Sequence, residues 1–572
     1  MAQAELHVRG FFSHPPLVGA AGRIGQLFVP YGQGSHPGPA LWVALLPAYL
    51  ITGRASFGLM LGMATMQFAF ISGAVYLARR VGGDLAGLLA AIAALALVRS
   101  GGPRVILDPW NPWGSVFAFF CMIPAIWGAV NRRPRCLPIA YFCGVFAVQC
   151  HVGYLPIVAA ALGLTTIVVL VQQRSTHDRS PLDRRAAFMW IGWSVVGALV
   201  MWIPPVLDQI RRNPGNLRIL WHHFTATVEP DGTPRIYVGL ATAVKVACTE
   251  LGVIGPWLVG DRISMIAIHW LYLAPTIVLL ALALRRLRMA RHETSGRLAI
   301  GLAVICAGLG VVGIAATARI FGGLYEYTVR WWWVIAAWLF VAALLVPVAD
   351  VRGRATTRWI GLGVVAVVGV FAIADFATTS AASPRNSRMV AGVTHALAGR
   401  LPRGGHHLVR WHDPATLSGV PYGVLLELER SGYSVGVDPQ ESAGALPHRV
   451  LPEANATDEL FVVLGETPIT EVRGRADAKE IAYYDDRSAT ERTESTRLRS
   501  EIEHKLAAIH LECLAPNMDT QYGIAYLLYG PDPTGNEIRG LVARYDAIGV
   551  PVALFLMPVR APLYQPTHMP TC

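Results

Sequence analysis

The residues able to do chemistry gather between apolar stretches rather than inside them. The first group is Glu5, His7 and Arg9, followed by His36-Pro37-Gly38-Pro39. The second is Asp108-Pro109-Trp110-Asn111-Pro112-Trp113. Its prolines break the helix there and hold a carboxylate and an amide at the start of the next apolar run, where they can take a proton and orient a ligand. Trp110 and Trp113 are expected in the aromatic belt at the membrane surface. Gln149, His151 and Tyr154 crowd one tight turn, and Asp208-Gln209 precedes Asn213-Pro214-Gly215-Asn216. The last group is Arg319, then Tyr325-Glu326-Tyr327-Thr328-Val329-Arg330-Trp331-Trp332-Trp333. An Arg at the end of an apolar span snorkels to headgroups or grips a phosphate, for which its planar fork of donors is suited. Ionisable groups at such a mouth are costly unless paired or used.

The elements that must position these groups follow from composition. Of 572 residues, 53% are hydrophobic and only 15% charged, against about 25% charged in soluble globular proteins. Mean hydropathy is +0.44. A disordered chain, a collagen and an ordinary soluble enzyme are excluded, and a polytopic membrane protein is predicted. The net charge of +11 is unevenly placed. Residues 1–379 hold 30 basic and 14 acidic side chains, whereas 380–572 hold 18 and 23. The basic residues lie between apolar runs and not on one soluble face, which excludes a nucleic-acid partner. Six of the eight Cys lie in or beside apolar stretches, and only Cys513 and Cys572 are free to pair in the C-terminal part. His406, His407 and His412 lack acidic neighbours at ligand spacing, so no metal site is expected there.

Ten apolar spans are read, at 55–78, 83–98, 113–130, 137–150, 153–171, 187–206, 264–284, 297–316, 329–348 and 359–378. Five short connections carry 17 of the 30 basic residues, beginning with Arg79-Arg80 and ending at Arg352 to Arg358. They fall between alternate spans, and the positive-inside rule places all of them in the cytoplasm. The other connections then face outward, together with the region from 380 onward. Residues 39–51 are read as a helix lying at the outer interface, and 236–258 similarly. Strand-like runs at 407–411, 433–437, 460–464 and 550–557, with helical patterns at 420–430, 495–511 and 536–547, predict a small α/β unit. The expected partition is therefore 1–54 as an outer loop with its interface helix, 55–379 as the membrane domain and 380–572 as an extracytoplasmic α/β domain of a plasma-membrane protein. Residues 1–10 contain no apolar run that would deliver them to the outside. The expectation is that a first helix precedes this start.

The segment His36-Pro-Gly-Pro-Ala-Leu-Trp-Val-Ala-Leu-Leu-Pro-Ala-Tyr-Leu-Ile-Thr-Gly53 resembles the interface helix of the first outer loop in GT-C glycosyltransferases of the protein-mannosyltransferase and aminoarabinose-transferase type. Trp110-Asn111-Pro112, His14 to Arg23 and Pro204 to Leu217 resemble uncharacterised actinobacterial multi-pass membrane proteins. The resemblance covers about residues 5–350. It implies a polytopic α-helical GT-C-like fold that moves a sugar from a polyprenyl-phosphate donor to an envelope glycan, lipid or protein acceptor on the outer face. It makes Glu5 and Asp108 the candidate catalytic carboxylates and gives Arg330 the donor phosphate. His36, Asn111, Gln149, His151, Tyr154, Asp208 and Tyr327 become candidate substrate contacts. A divalent cation is one candidate cofactor, and membrane lipids are partners. The alternative is a non-catalytic GT-C-fold protein or a component of envelope lipid or polysaccharide translocation. The two differ in one expectation: for an enzyme, Glu5, Asp108, His151 and Arg330 converge on one outward site.

Overall fold

The computed structural model describes residues 1–27, 29–174, 181–229, 232–252, 294–322, 324–345, 383–529 and 535–560, with scattered residues within 281–288 and 359–374. Among the described residues, five helices are long and apolar enough to cross a membrane. They are Phe57–Gly101, Asn111–Val130, Leu155–Arg174, Pro181–Arg211 and Thr294–Ala318. Shorter apolar helices run over Ala40–Ile51, Leu137–Cys150 and Trp331–Leu345. The expected spans 55–78 and 83–98 form the single run Phe57–Gly101, broken at Gly83 by a φ of +83°. A side-chain carbon on Gly87 would lie 2.8 Å from Cβ of Arg79. Eight residues of straight helix would span about 12 Å, so the chain reverses here. Glycine supplies the positive φ, and the Arg79–Asp84 ion pair (2.8 Å) closes the turn. The expected spans 264–284 and 359–378 fall mostly outside the described residues.

The Asn111–Val130 helix is apolar on every side and almost wholly buried, as the central helix of a bundle must be. It packs on Phe57–Gly101 and Leu137–Cys150. Gln67 donates to the carbonyls of Val105 (3.1 Å) and Trp113 (2.8 Å), and Trp338 to that of Phe120 (3.0 Å). These bonds satisfy backbone groups that lie where water is scarce. The Ala40–Ile51 helix buries Leu41, Trp42, Leu45 and Tyr49 against the bundle and leaves Ile51 exposed.

Two short strands, β1 (Ala21–Gly25) and β2 (Gln33–Ser35), pair antiparallel near the start of the chain, and the C-terminal region carries a five-stranded sheet of order β4-β3-β5-β7-β6. The strands are β3 (His406–His412), β4 (Ser434–Val437), β5 (Asp458–Leu464), β6 (Lys479–Tyr484) and β7 (Val552–Met557). β3 lies parallel to β4 and β5, while β7 runs antiparallel to β5 and β6. Leu460, Val462 and Leu464 face one core, and Phe461 and Val463 face a second under the Glu466–Arg473 helix. The near-continuous apolar run of β5 is thus buried on both faces. Ala489–Ala508 opens with a reciprocal cap in which Ser488 and Glu491 each bond the other's backbone N–H.

The Ala2–Arg9 helix joins the two parts. Ala4 and Val8, one turn apart, enter the bundle core, whereas Leu6 enters the core of the C-terminal region. Between them the fully buried Glu5 carboxylate accepts from Tyr49 (3.0 Å), from Ser56 (2.7 Å) and from Arg430. Arg449 bonds Glu429 twice (2.6 and 3.1 Å) and the carbonyl of Leu6 (3.1 Å), and Arg9 also donates to Glu429 (3.0 Å). Removing the cation leaves a buried carboxylate uncompensated, so Arg430→Ala should cost roughly 3 kcal/mol. Scanning calorimetry of detergent-solubilised protein checks it. The double variant Glu5→Gln with Arg430→Gln should recover most of that loss, because no charge is then stranded.

Candidate functional site

Several polar residues of the loops and helix ends are occupied by backbone. Asn111 donates to the Cys150 carbonyl (3.0 Å), tying the start of one helix to the end of another. Gln149 accepts from the N–H of Ala40 (3.3 Å) and donates to the carbonyl of Met201 (2.6 Å). A side chain at position 38 would come within 2.4 Å of Gln149, so only glycine fits beside it. His36 accepts the Val152 N–H on Nδ1 (3.2 Å), which leaves its proton on Nε2. Asp208 accepts from the N–H of Asn216 (2.8 Å) and from Arg212 (3.4 Å). Asn216 in turn exchanges two bonds with the Ser35 backbone (2.8 and 3.0 Å). These four predicted contacts tie loops and helix ends together.

The aromatic and cationic residues form one connected cluster. The His151 ring lies 4.9 Å from that of His36, 6.0 Å from Tyr327 and 6.1 Å from Tyr154. Trp110 meets Tyr327 (5.0 Å) and Trp113 (5.7 Å) edge-on, and Tyr154 meets Trp331 (5.5 Å). Arg330 lies 3.7 Å over Trp333 and 6.0 Å from Trp113, and its guanidinium is 3.9 Å from Glu250. Both partners of that ion pair are buried. Asp108 sits two residues before Trp110 and is partly buried. Burial pushes its carboxyl above the ordinary range, against the opposing pull of the Met1 amino terminus and of Arg104. Among the described residues no hydrogen bond or ion pair reaches that carboxylate. His151, Tyr154, Tyr327 and Arg330 therefore belong to one neighbourhood, Asp108 precedes its Trp110 in sequence with the Met1 amino terminus and Arg104 as its charged neighbours, and Glu5 belongs to the junction described above.

Burial also governs the imidazoles. It lowers His7 and His151 to about 4 and His36 well below its usual value. His151 is thus neutral at physiological pH, able to accept or donate one hydrogen bond without carrying charge. Among the described residues no three His, Cys, Asp or Glu side chains come together as a metal set.

Sequence reasoning gave no role to Arg23 or Glu250, and gave none to Trp331 within the group that contains it. Arg23 bonds the Tyr325 hydroxyl and lies 4.7 Å over its ring. Tyr325 stacks on Tyr327 at 5.6 Å. No local signal marks Glu250, because it lies on a helix (Gly239–Leu251) distant in sequence from Arg330.

No protein-family model matches the chain, and no curated protein matches it. Among solved structures, ArnT from Cupriavidus metallidurans aligns both in its apo state and bound to undecaprenyl phosphate. In each case identity is 14%, coverage is 84% of this chain and 91% of that one, and the TM-score is 0.48. The oligosaccharyltransferase of Archaeoglobus fulgidus, solved with zinc and sulfate, aligns at 13% identity over 97% of this chain and 84% of that one, with a TM-score of 0.43. Likeness at this level bears on overall shape alone.

Three buried imidazoles make acid stability a test of this geometry. Below about 6.5 the unfolded chain takes up protons on these groups that the folded one refuses. Stability should therefore fall as pH drops from about 6.5 towards 4, the value to which His7 and His151 are lowered. Thermal unfolding across that range should show His151→Gln flattening the slope by up to about 1.4 kcal/mol per pH unit.

Proposed function

We propose that the chain is a membrane glycosyltransferase of the GT-C type. It moves a sugar from a polyprenyl-phosphate donor to an envelope glycan, lipid or protein acceptor on the outer face of the plasma membrane. One observation carries this reading. A partly buried carboxylate that accepts no hydrogen bond among the described residues, Asp108, lies two residues before Trp110, whose ring joins the aromatic cluster that holds the buried Arg330. A carboxylate left without donors is poised to take a proton.

In the proposed reaction, the acceptor hydroxyl gives its proton to Asp108 and its oxygen forms a bond to the anomeric carbon. The bond between that carbon and the phosphate oxygen breaks, and its electron pair leaves with the lipid phosphate. Arg330 faces the charge that develops there, in a site shielded from water, where such an interaction counts most. Neutral His151 and the Tyr327 hydroxyl orient the sugar. The pinned residues Asn111, Gln149, His36 and Asp208 keep the loops in place. Glu5, with its lone pairs taken by Tyr49, Ser56 and Arg430, has little left for a substrate proton and serves as an organising group. No step calls on a cation. The C-terminal region packs against Ala2–Arg9 and, through the bond from Tyr31 N–H to the Pro439 carbonyl (3.3 Å), against an outer loop. It is proposed as the extracytoplasmic domain, on the face where an acceptor would arrive.

Asp108→Asn should lower turnover with a polyprenyl-phosphate sugar by about 10²-fold or more, with little change in KM. In the unaltered protein, kcat/KM should fall with acidification through a pKa above the ordinary Asp value of about 4, since the protonated acid cannot act as base. Transfer assays in proteoliposomes read both. Unchanged turnover in Asp108→Asn removes Asp108 from the mechanism.

A further inference from the structure

The helix Asn216–Thr225 follows the apolar helix Pro181–Arg211 across a short turn, and its side chains sort into three faces. At about 100° per residue, Asn216, Ile219, Leu220 and His223 fall on one side. That side packs on β1 and β2. Asn216 exchanges its two bonds with the Ser35 backbone there, and His223 accepts the Gly25 N–H on Nδ1 (3.1 Å). A side-chain carbon on Gly25 or Gly34 would come within 2.7 or 2.9 Å of Ile219, so the two backbones and this helix fit closely. The rest of the helix surface is split. Leu217, Trp221 and Phe224 share one flank, and Arg218, His222 and Thr225 share the other. Trp221 is 69% exposed and Phe224 45%. A helix surrounded by water on its free side has no reason to gather two large rings on one flank and its polar groups on the other.

What covers the apolar flank follows from its neighbours. The exposed apolar surface of Pro181–Arg211 runs through Leu199, Ile203 and Val206 to Ile210 in the last turn. This helix is long and apolar enough to cross a membrane, so that surface meets lipid tails. The apolar flank of Asn216–Thr225 begins only a few residues beyond Ile210. Two exposed cations, Arg211 and Arg218, lie at the same place in the chain. Arg reaches from apolar surface to headgroup phosphates, and Trp favours the boundary between tails and water. We propose that Asn216–Thr225 is a membrane-docking helix: Trp221 and Phe224 sit in the headgroup boundary of the bilayer, Arg211 and Arg218 meet lipid phosphates, and His222 and Thr225 stay in water. This goes beyond the transfer reaction and stands without it. It gives the bilayer surface a hold on β1 and β2, and through the Asn216–Ser35 bonds on the residue before His36.

Spin-label accessibility tests this in the full chain, reconstituted in liposomes of phosphatidylcholine and phosphatidylglycerol. Nitroxides are attached to Trp221→Cys and Phe224→Cys on one flank and to Arg218→Cys and His222→Cys on the other. The unaltered protein, labelled alike, supplies the background from native cysteines, which are buried or half-buried among the described free ones. Collisions with oxygen, which dissolves in lipid, are compared with collisions with a neutral nickel chelate, which stays in water. The oxygen-to-nickel ratio should be several-fold higher at 221 and 224 than at 218 and 222, placing the first two labels about 5–10 Å inside the headgroup boundary. Where a labelled variant fails to fold, tryptophan emission in liposomes of dibrominated phosphatidylcholine serves instead, and Trp221→Phe should remove part of the lipid-quenched signal. A high nickel ratio on both flanks, or lipid quenching unchanged in Trp221→Phe, overturns the proposal. Low collision with both reagents at 221 and 224 overturns it too, because protein and not lipid then covers the flank.

Discussion

A carboxylate sealed from water must find its partners within the protein, and Glu5 finds them in two bodies at once. Tyr49 and Ser56 come from the membrane bundle, and Arg430 comes from the C-terminal region. Satisfying one buried charge thereby fixes how the C-terminal region sits on the bundle. The surrounding helix repeats the same logic with apolar groups, since Ala4 and Val8 enter one core and Leu6 the other. Arg449 ties the helix backbone itself to Glu429 through the Leu6 carbonyl. Sliding one part against the other would strand either a charge or an apolar side chain. The cluster around Arg330 is built on that same bundle core, which holds Trp113, Tyr154, Trp331 and Trp333.

Around that cluster and in the adjoining loops the polar residues divide by what their atoms already do. Asn111, Gln149, His36 and Asp208 are committed to backbone groups at helix ends, where four carbonyls or N–H groups lack helical partners. Tyr154 and His151 carry buried polar atoms with no such commitment. A residue type alone does not separate these two classes. An amide at the membrane surface looks equally like a ligand contact and like a pin, and only the position of neighbouring carbonyls decides.

This division marks where the sequence was informative and where it stopped. Composition and the basic connections point to a helical membrane protein, and the reversal at Gly83 falls where Arg79-Arg80 separate two apolar runs. The alternation of strands and helices after 400 is legible for β3, β4, β5 and β7. β6 was not, because Lys479-Glu480 open it and hide the buried Ile481 and Ala482. Helix Pro384–Leu397 was also missed, although Met389, Val393 and Leu397 place one apolar face in the C-terminal core. Charged groups drawn from distant segments were the least visible. Glu5 reads locally as a free carboxylate near a helix start, but its meaning depends on Arg430, and the meaning of Arg330 depends on Glu250. Pairing across such separations leaves no periodic trace in the chain.

The central claim is that the cluster joining Asp108, His151, Tyr154 and Arg330 receives a lipid phosphate. A cryo-EM structure of the protein in nanodiscs with a polyprenyl-phosphate sugar tests it most directly. The account predicts phosphate density within hydrogen-bonding distance of Arg330 and of at least one indole N–H among Trp113, Trp331 and Trp333, with Asp108 facing the same space. A phosphate bound away from Arg330, with those indole donors still unengaged, would contradict it.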